Sequence, residues 1–262
     1  MNIKPEFHHE YTNLSREDIL SAYQNGHTIT GIVDGVIENR GALKIRLGRD
    51  VFAHLPFSEA TIYPLRYNSV SALPTNIRCL IKQKVRVKVT MVTDKYIEVS
   101  RKKNMEVALE EIRKCEKLPM YVTQVISRSV FGDIGEGICG KIFIKEIAKC
   151  HMRHAAEAFK AGQTVDVVIL EIDEENRVDA SYRKAFKPYT PEDYKTGMVI
   201  WCRVADSIYV TNKSAYYVNI TPQVSGILSI DGHLHLEYGS CVECRVKEAT
   251  EQGPVLELIR EI

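Results

Sequence analysis

The chain has 262 residues, of which 45% are hydrophobic and 26% charged, and its formal net charge is +1. This composition is ordinary for a globular protein with packed cores and argues against disorder and against a strongly electrostatic nucleic-acid binder. No apolar run approaches the roughly 20 residues of a membrane helix, and the N-terminus lacks a signal-peptide pattern. Seven cysteines without a disulfide-framework spacing indicate reduced thiols, so we expect a cytoplasmic protein that does not enter a membrane.

Charge is distributed unevenly along this nearly neutral chain. Residues 26–103 contain 14 Lys or Arg and 6 Asp or Glu, whereas residues 188–262 contain 6 and 10. The first third is therefore basic and the last third acidic, an asymmetry that calls for a functional explanation.

Residues 1–25 form a predicted helical lead-in. Ser15 is expected to cap the helix with Asp18 as its partner in a capping box, and Gly26 ends it. The spacing predicts one apolar face, made of Ile19, Leu20 and Tyr23.

From residue 26 onward the hydrophobic period changes to two, which is typical of half-buried strands. Sets of five strands are predicted in 26–103, 118–187 and 188–262. Helical spacing returns in the linker 104–117 and in the stretch 148–162, inside the second set. Each set closes on a strand that alternates Val or Cys with polar residues, such as QKVRVKVTMV.

The three sets recur at intervals of about 75 to 80 residues with the same order of strands and turns. The repeat predicts an all-β protein of three tandem five-stranded OB-fold barrels joined by short helices. The first barrel (26–103) is basic, and the third (188–262) is acidic.

These repeats resemble the S1 domain, the RNA-binding repeat of a bacterial ribosomal protein, over residues 26 to about 260. The resemblance rests on RGALKIRLGRDVFAHLPFSEA in the first repeat and on FKAGQTVDVVILEIDEENRVDASYRK in the second. The helix at 104–117 is similar to the connector between repeats of that protein. The resemblance implies binding of single-stranded RNA.

Carried onto the second repeat, the resemblance implies an RNA face with Phe131 and Phe143 as stacking platforms. Ile134 stands where the family has another aromatic residue. Asp173 and Arg177 occupy the family's Asp and Arg positions on either side of the last turn, and we expect their side chains to hydrogen-bond. Lys141 and Lys145 are further candidate RNA contacts.

The first repeat departs from this pattern, with Arg40 and Leu43 at the aromatic positions and Pro56 at the third-strand position. Tyr96 takes the place of the Arg. Its basic strand nevertheless predicts a phosphate-binding track, since alternating residues share one face of a strand. The residues of this track are Lys82, Lys84, Arg86 and Lys88.

The third repeat departs further. Ser229 stands at the third-strand position, and the last turn has neither the Asp nor the Arg. Tyr216 and Tyr217 are candidate aromatics, but only one of two neighbours in a strand faces outward. An acidic face without the Arg binds phosphate poorly.

Each of these signals also has a purely structural interpretation. Phenylalanines in a barrel are often core residues, Asp173 and Arg177 fit a plain surface turn, and the basic strand fits a solvated face. The Cys241/Cys244 pair, preceded by HLH at 233–235, and the Cys150/His154 pair are weak zinc candidates, because the first pair points to opposite faces of a strand.

We find no phosphate-binding Gly-rich loop, metalloprotease motif or nucleophile motif, and therefore expect neither catalysis nor a cofactor or metal. The sequence favours a single-stranded RNA-binding protein that acts on mRNA or in translation. One alternative is an adaptor that docks on a ribosome, polymerase or ribonuclease; an exposed apolar patch on the first or third repeat would favour it. A second alternative is an RNA-processing enzyme that holds Mg²⁺ at the acidic turn 173–175.

Overall fold

The computed structural model describes residues 4–67, 73–210, 213–230 and 234–262, and its strands form three closed barrels of five strands each. This confirms the predicted all-β fold. None of the helices in the described ranges is long and apolar enough to cross a membrane.

The first barrel has the cyclic strand order β1-β2-β3-β5-β4, in which β3 and β5 are parallel and the other pairs antiparallel. This order is that of an OB-type Greek-key barrel. Its strands are β1 (Thr28–Ile37), β2 (Ala42–Arg46), β3 (Phe52–Pro56), β4 (Lys84–Val92) and β5 (Ile97–Ser100).

The second and third barrels repeat this strand order. The strands of the second are β6 (Lys117–Ile126), β7 (Ser129–Asp133), β8 (Cys139–Phe143), β9 (Thr164–Ile172) and β10 (Val178–Ser181). Those of the third are β11 (Val199–Val210), β12 (Lys213–Thr221), β13 (Val224–Ile230), β14 (Cys241–Thr250) and β15 (Gly253–Glu261).

Helix α1 (Arg16–Asn25) begins and ends as predicted. The Ser15 hydroxyl accepts from the backbone N–H of Asp18 at 3.1 Å, and the Asp18 carboxylate accepts from the backbone N–H of Ser15 at 2.8 Å. Gly26 ends the helix with φ of 66°, a left-handed conformation that glycine adopts without strain.

The buried face of α1 differs from the predicted one. Ile19 and Ala22 are buried, whereas Leu20 and Tyr23 are exposed. Ile19 and Ala22 share the face that packs into the core of the first barrel, whereas Leu20 and Tyr23 lie outside that contact.

Two further helices are short. They are α2 (Thr75–Arg78) and α3 (Lys102–Ile112). Helix α3 buries Met105, Ala108, Leu109 and Ile112, as its apolar spacing predicts. It starts two residues before the predicted linker 104–117 and ends five residues before the end of that linker, where β6 begins at Lys117.

The prediction of a helix in 148–162 is wrong, because this stretch contains only a 3-10 turn at Ala155–Glu157. Backbone N–H groups that a helix would use internally bond elsewhere. The N–H of Lys149 donates to Pro222 O at 2.9 Å, and that of Arg153 donates to the Tyr238 hydroxyl at 3.1 Å. Contacts with the third repeat therefore replace helical hydrogen bonds.

Residue contacts divide the chain into two compact units. The first unit runs to Tyr121 and also includes Gly132–Gly140 and Glu171–Val178. The second comprises Val122–Phe131, Lys141–Leu170 and Asp179–Ile262.

A buried ion pair lies at the centre of the first unit. Glu6 and Arg101 are 5% and 6% exposed, and the carboxylate accepts two hydrogen bonds from the guanidinium, at 2.8 and 2.6 Å. The backbone N–H of Glu6 donates to Asp133 at 2.7 Å, and the Arg101 guanidinium donates to Ala60 O at 2.9 Å. The pair thus joins the N-terminal segment, the first barrel and the 132–140 segment.

The loop after β7 is shaped to fit this ion pair. Gly137 has φ of 81°, and a Cβ built there would lie 1.9 Å from the Arg101 guanidinium. Glu136 in the same loop is buried and accepts from Arg86 Nε at 3.1 Å and from Asn104 Nδ2 at 2.8 Å. The buried glutamates Glu6 and Glu136 therefore each have a cationic partner, as burial requires.

We predict that Arg101→Met lowers the free energy of unfolding by about 3–5 kcal/mol, because it leaves the Glu6 carboxylate buried without its cation. The measurement is urea denaturation followed by circular dichroism. Lys114→Gln is the matched control, since Lys114 pairs with Glu111 at the surface and should change stability by less than about 1 kcal/mol. Equal effects of the two changes would show that the buried pair does not carry the packing of this unit.

Candidate functional site

The outer face of the second barrel carries two phenylalanines on the neighbouring strands β7 and β8. Phe131 alternates with Val130, and Phe143 with Ile142, and both aliphatic residues are fully buried. Phe131 is half-buried, and Phe143 is 36% exposed. Both rings therefore point away from the barrel core and remain accessible to a ligand.

A lysine covers one face of the Phe143 ring. The Nζ atom of Lys141 lies 3.6 Å from the ring centroid, within the range of a cation–π contact. Lys145, two residues beyond Phe143, is exposed. This part of the surface thus combines an aromatic ring with cations, the chemistry that holds single-stranded nucleic acid.

Asp173 organises the turn between β9 and β10. Its Oδ1 atom accepts from the backbone N–H of Glu175 at 2.9 Å and of Arg177 at 2.8 Å. Asn176 occupies the left-handed region with φ of 61°. The carboxylate therefore replaces backbone acceptors inside the turn, as Asx turns do.

The expected hydrogen bond between the side chains of Asp173 and Arg177 is not formed. Arg177 Nη1 lies 4.0 Å from Asp173 Oδ2, and the guanidinium instead contacts the Glu175 carboxylate. Asp173 Oδ1 accepts hydrogen bonds from the backbone of the turn. The Arg177 guanidinium therefore contacts the nearer carboxylate, which is that of Glu175. Arg177 is 52% exposed and remains able to contact a phosphate.

The first barrel presents a stacked cluster on its outer face. The rings of His54 and Tyr96 are nearly parallel, with an interplanar angle of 5° and centroids 5.8 Å apart. Arg40 Nη1 lies 3.2 Å from His54 Nδ1, and its guanidinium lies 5.8 Å from the Tyr96 centroid. The structure thus brings together two predicted site residues, Arg40 and Tyr96, through a third.

His54 was missed because the resemblance directs attention to Pro56. Strand periodicity could have found it, since His54 lies between the buried residues Ala53 and Leu55 and must face outward. Burial and the neighbouring Arg40 lower the pKa of His54 from its usual value, which favours the neutral ring.

The basic strand of the first barrel is not an open row of cations. Lys84, Arg86 and Lys88 alternate with buried valines as predicted, but Arg86 is only 18% exposed and pairs with Glu136 at 3.1 Å. Lys84 Nζ donates to His9 O at 3.2 Å, and Lys82 precedes the strand and donates to Asp34 O at 2.8 Å. Arg86 and Lys84 therefore hold other parts of the first unit.

In the third barrel, Tyr216 is buried and Tyr217 is 46% exposed, opposite Ile227. Ser229 is exposed. Tyr217 is therefore the outward-facing member of the tyrosine pair, and the turn between β14 and β15 supplies no Arg beside it.

Cys241 and Cys244 are arranged as strand geometry requires. Cys241 is exposed and Cys244 is buried, on opposite faces of β14. His233 lies outside the described residues. Among the described residues, no group of three or more His, Cys, Asp or Glu side chains is arranged to hold a metal ion.

The family assignment comes from residues 111–183, which match the S1 RNA binding domain. The second barrel is an S1 RNA-binding domain. The match contains all six candidate groups described for this barrel, namely Phe131, Lys141, Phe143, Lys145, Asp173 and Arg177.

Two relatives extend the similarity beyond the S1 domain. Small ribosomal subunit protein bS1 of Neisseria meningitidis serogroup B is 24% identical over 176 residues, which cover 63% of this chain and 31% of the relative. The bS1 protein of Rhodopseudomonas palustris is 26% identical over 157 residues, covering 59% of this chain and 27% of the relative. This chain is thus distantly similar to bS1, and it spans about three tenths of the length of the two bS1 relatives.

Among solved structures, a multidomain protein with nucleic acid binding domains from Streptococcus pneumoniae TIGR4 aligns with 89% of this chain and 72% of its own. The two are 11% identical, with a TM-score of 0.26. The OB-type fold of the three barrels is evident instead from their strand order.

We predict that Asp173→Ala lowers the free energy of unfolding by about 0.5–1.5 kcal/mol, because two backbone N–H groups in the turn lose their acceptor. Asp173→Asn keeps an acceptor oxygen and should cost less, and Arg177→Ala should change stability by less than about 1 kcal/mol because its ion pairs are exposed. Urea denaturation of the three variants measures the difference. A larger loss for Arg177→Ala than for Asp173→Ala would show that the side-chain pair holds the turn.

Proposed function

We propose that this chain binds single-stranded RNA through the outer face of its S1 domain. The observation that carries the proposal is the pair of outward-facing rings on β7 and β8, with Lys141 beside the more exposed one. Unstacked bases lie on aromatic rings, whereas bases inside a duplex do not present their faces. Single strands should therefore be preferred to duplexes.

The charged groups supply the phosphate contacts in this proposal. Lys141 and Lys145 lie two residues before and two residues after Phe143, and Arg177 has an exposed guanidinium. Cations on the surface contribute sequence-independent affinity that decreases with salt. Binding of this kind requires no catalytic group, and we propose that the chain acts without cleaving RNA.

A role in translation or in mRNA handling is the proposed setting. It is supported by the similarity to bS1 over more than half of this chain. The seven free thiols support a reducing compartment such as the cytoplasm. They belong to Cys79, Cys115, Cys139, Cys150, Cys202, Cys241 and Cys244.

We predict that Phe131→Leu and Phe143→Leu each weaken binding of a single-stranded oligonucleotide by about 1–3 kcal/mol, because leucine keeps the apolar contact with the barrel but cannot stack a base. Fluorescence anisotropy with a labelled RNA measures the affinity, and the matched duplex should bind more weakly to the unmodified chain.

Ile227→Leu is the matched control, since Ile227 is an exposed apolar residue on the third barrel. With Mg²⁺ present, the oligonucleotide should be recovered at full length. Unchanged affinity in both Phe variants would exclude the stacking platform, and shortened RNA would favour a processing enzyme.

A second candidate function, protein docking, is favoured by the third barrel. Trp201, the single tryptophan, is 71% exposed on β11, and the nearby Val199 is 48% exposed. The indole N–H donates to Glu243, whose other oxygen binds Arg260 at 2.7 Å. A protein partner that covered Trp201 would bury an apolar ring whose polar atom already has a hydrogen-bond acceptor. Arg260 is paired with Glu243 and therefore offers little to a phosphate.

We predict that the emission of Trp201 and its quenching by acrylamide stay unchanged when RNA saturates the chain, because RNA binds elsewhere. Purified small ribosomal subunits should reduce acrylamide quenching if this barrel docks on them. Quenching or a spectral shift on addition of short RNA alone would assign Trp201 to an RNA site.

A further inference from the structure

The first unit contains a solvent-open cavity beside helix α3. Its volume is about 380 Å³, and it lies between helix α3, Ile62 and the turn residue Asn176. This volume is near the lower end of the range of roughly 300–1,000 Å³ for small-molecule sites, so it suits a group the size of one nucleotide.

The chemistry of the lining differs from that of a phosphate site. Glu106 and Glu110 are one helical turn apart on α3, with Leu109 as a buried apolar floor between them. Carboxylates accept hydrogen bonds and repel phosphate, and in nucleic-acid recognition they accept from the exocyclic amino group of cytosine. The amide of Asn176 adds one donor and one acceptor, the pair that reads adenine.

Cations lie at the two ends of this row of acids. Lys102 is the first residue of α3, and Arg113 follows its last residue. Arg113 lies 3.7 Å from Glu110, whereas Lys102 and Glu106 form no ion pair with other residues in the described ranges. A nucleotide whose base lies between the acids therefore has two cations nearby, which offset the repulsion between the carboxylates and its phosphates.

The cavity adjoins the proposed RNA contact in the turn. Asn176 lines the cavity, and the next residue is Arg177, whose Cα atom is therefore about 3.8 Å away. A strand whose phosphate is held by Arg177 therefore passes beside a residue that lines the cavity.

We propose that this cavity receives one unstacked base of the bound RNA and selects a base with an exocyclic amino group, cytosine, adenine or guanine, over uracil. The inference rests on the proposed RNA-binding function. It gives the helix α3 a role in sequence preference, and it gives Glu106 and Glu110 a ligand.

The test compares oligouridine nonamers with nonamers that carry a single cytidine, adenosine or guanosine, scanned along the oligonucleotide. For the unmodified protein, cytidine at one position should tighten binding by roughly 5- to 100-fold, as one good base contact does. The double change Glu106→Gln and Glu110→Gln should remove this gain and leave oligouridine binding at least as tight. Glu111→Gln is the control, because it removes the same charge from the same helix outside the cavity.

Asn176→Gly provides an independent arm, since glycine keeps the backbone at φ of 61° while removing the amide; a single adenosine should then lose its advantage. If oligouridine binds but no position responds to cytidine, adenosine or guanosine, or if the gain survives the double change, the cavity is not a base site although the proposed function stands. If the unmodified chain binds no single-stranded RNA, both proposals fall.

Discussion

The first unit depends on the buried contact between Glu6 and Arg101. A lone charge of either sign would be too costly to bury, and the two together still require every remaining lone pair and N–H to find a partner. That requirement is met by Ala60, Asp133 and the backbone of Arg86, which belong to distant parts of the sequence. The contact therefore ties the N-terminal segment and the loop after β7 to the first barrel, and it explains why Gly137 lacks a side chain.

This constraint changes how the basic character of the first repeat is understood. Part of its positive charge neutralises buried carboxylates: Arg101 pairs with Glu6, and Arg86 pairs with Glu136. The charge that remains on the outer face is arranged around rings, as in the cluster of Arg40, His54 and Tyr96. The excess of Lys and Arg is thus partly structural, and net charge alone overstates the surface available to RNA.

The three barrels share one fold but expose different chemistry. The S1 domain exposes phenylalanine with lysine, the first barrel exposes Arg40 beside the stacked rings of His54 and Tyr96, and the third exposes Trp201 within a row of paired charges. Function belongs to these sites and not to the fold, so the same strand order supports both a proposed RNA face and a proposed protein-docking face.

The barrels could be predicted because strand alternation and turn residues are local signals that repeat three times. The outward direction of Phe131 and Phe143 follows from the same alternation. The role of Arg86 could not be predicted, because its partner Glu136 is 50 residues away and nothing local marks the pair. The stretch 148–162 was mistaken for a helix for a similar reason, since hydrogen bonds to Pro222 and Tyr238 override its helical spacing.

The central claim is that RNA contacts the outward rings of the S1 domain. Ultraviolet crosslinking of a 4-thiouridine oligonucleotide to the intact chain, with the modified residues mapped by mass spectrometry, tests it most directly. The account predicts crosslinks on β7 and β8, at or beside Phe131 and Phe143, that an excess of unlabelled single-stranded RNA removes. Crosslinks confined to the third barrel, around Trp201 or Tyr217, would contradict it.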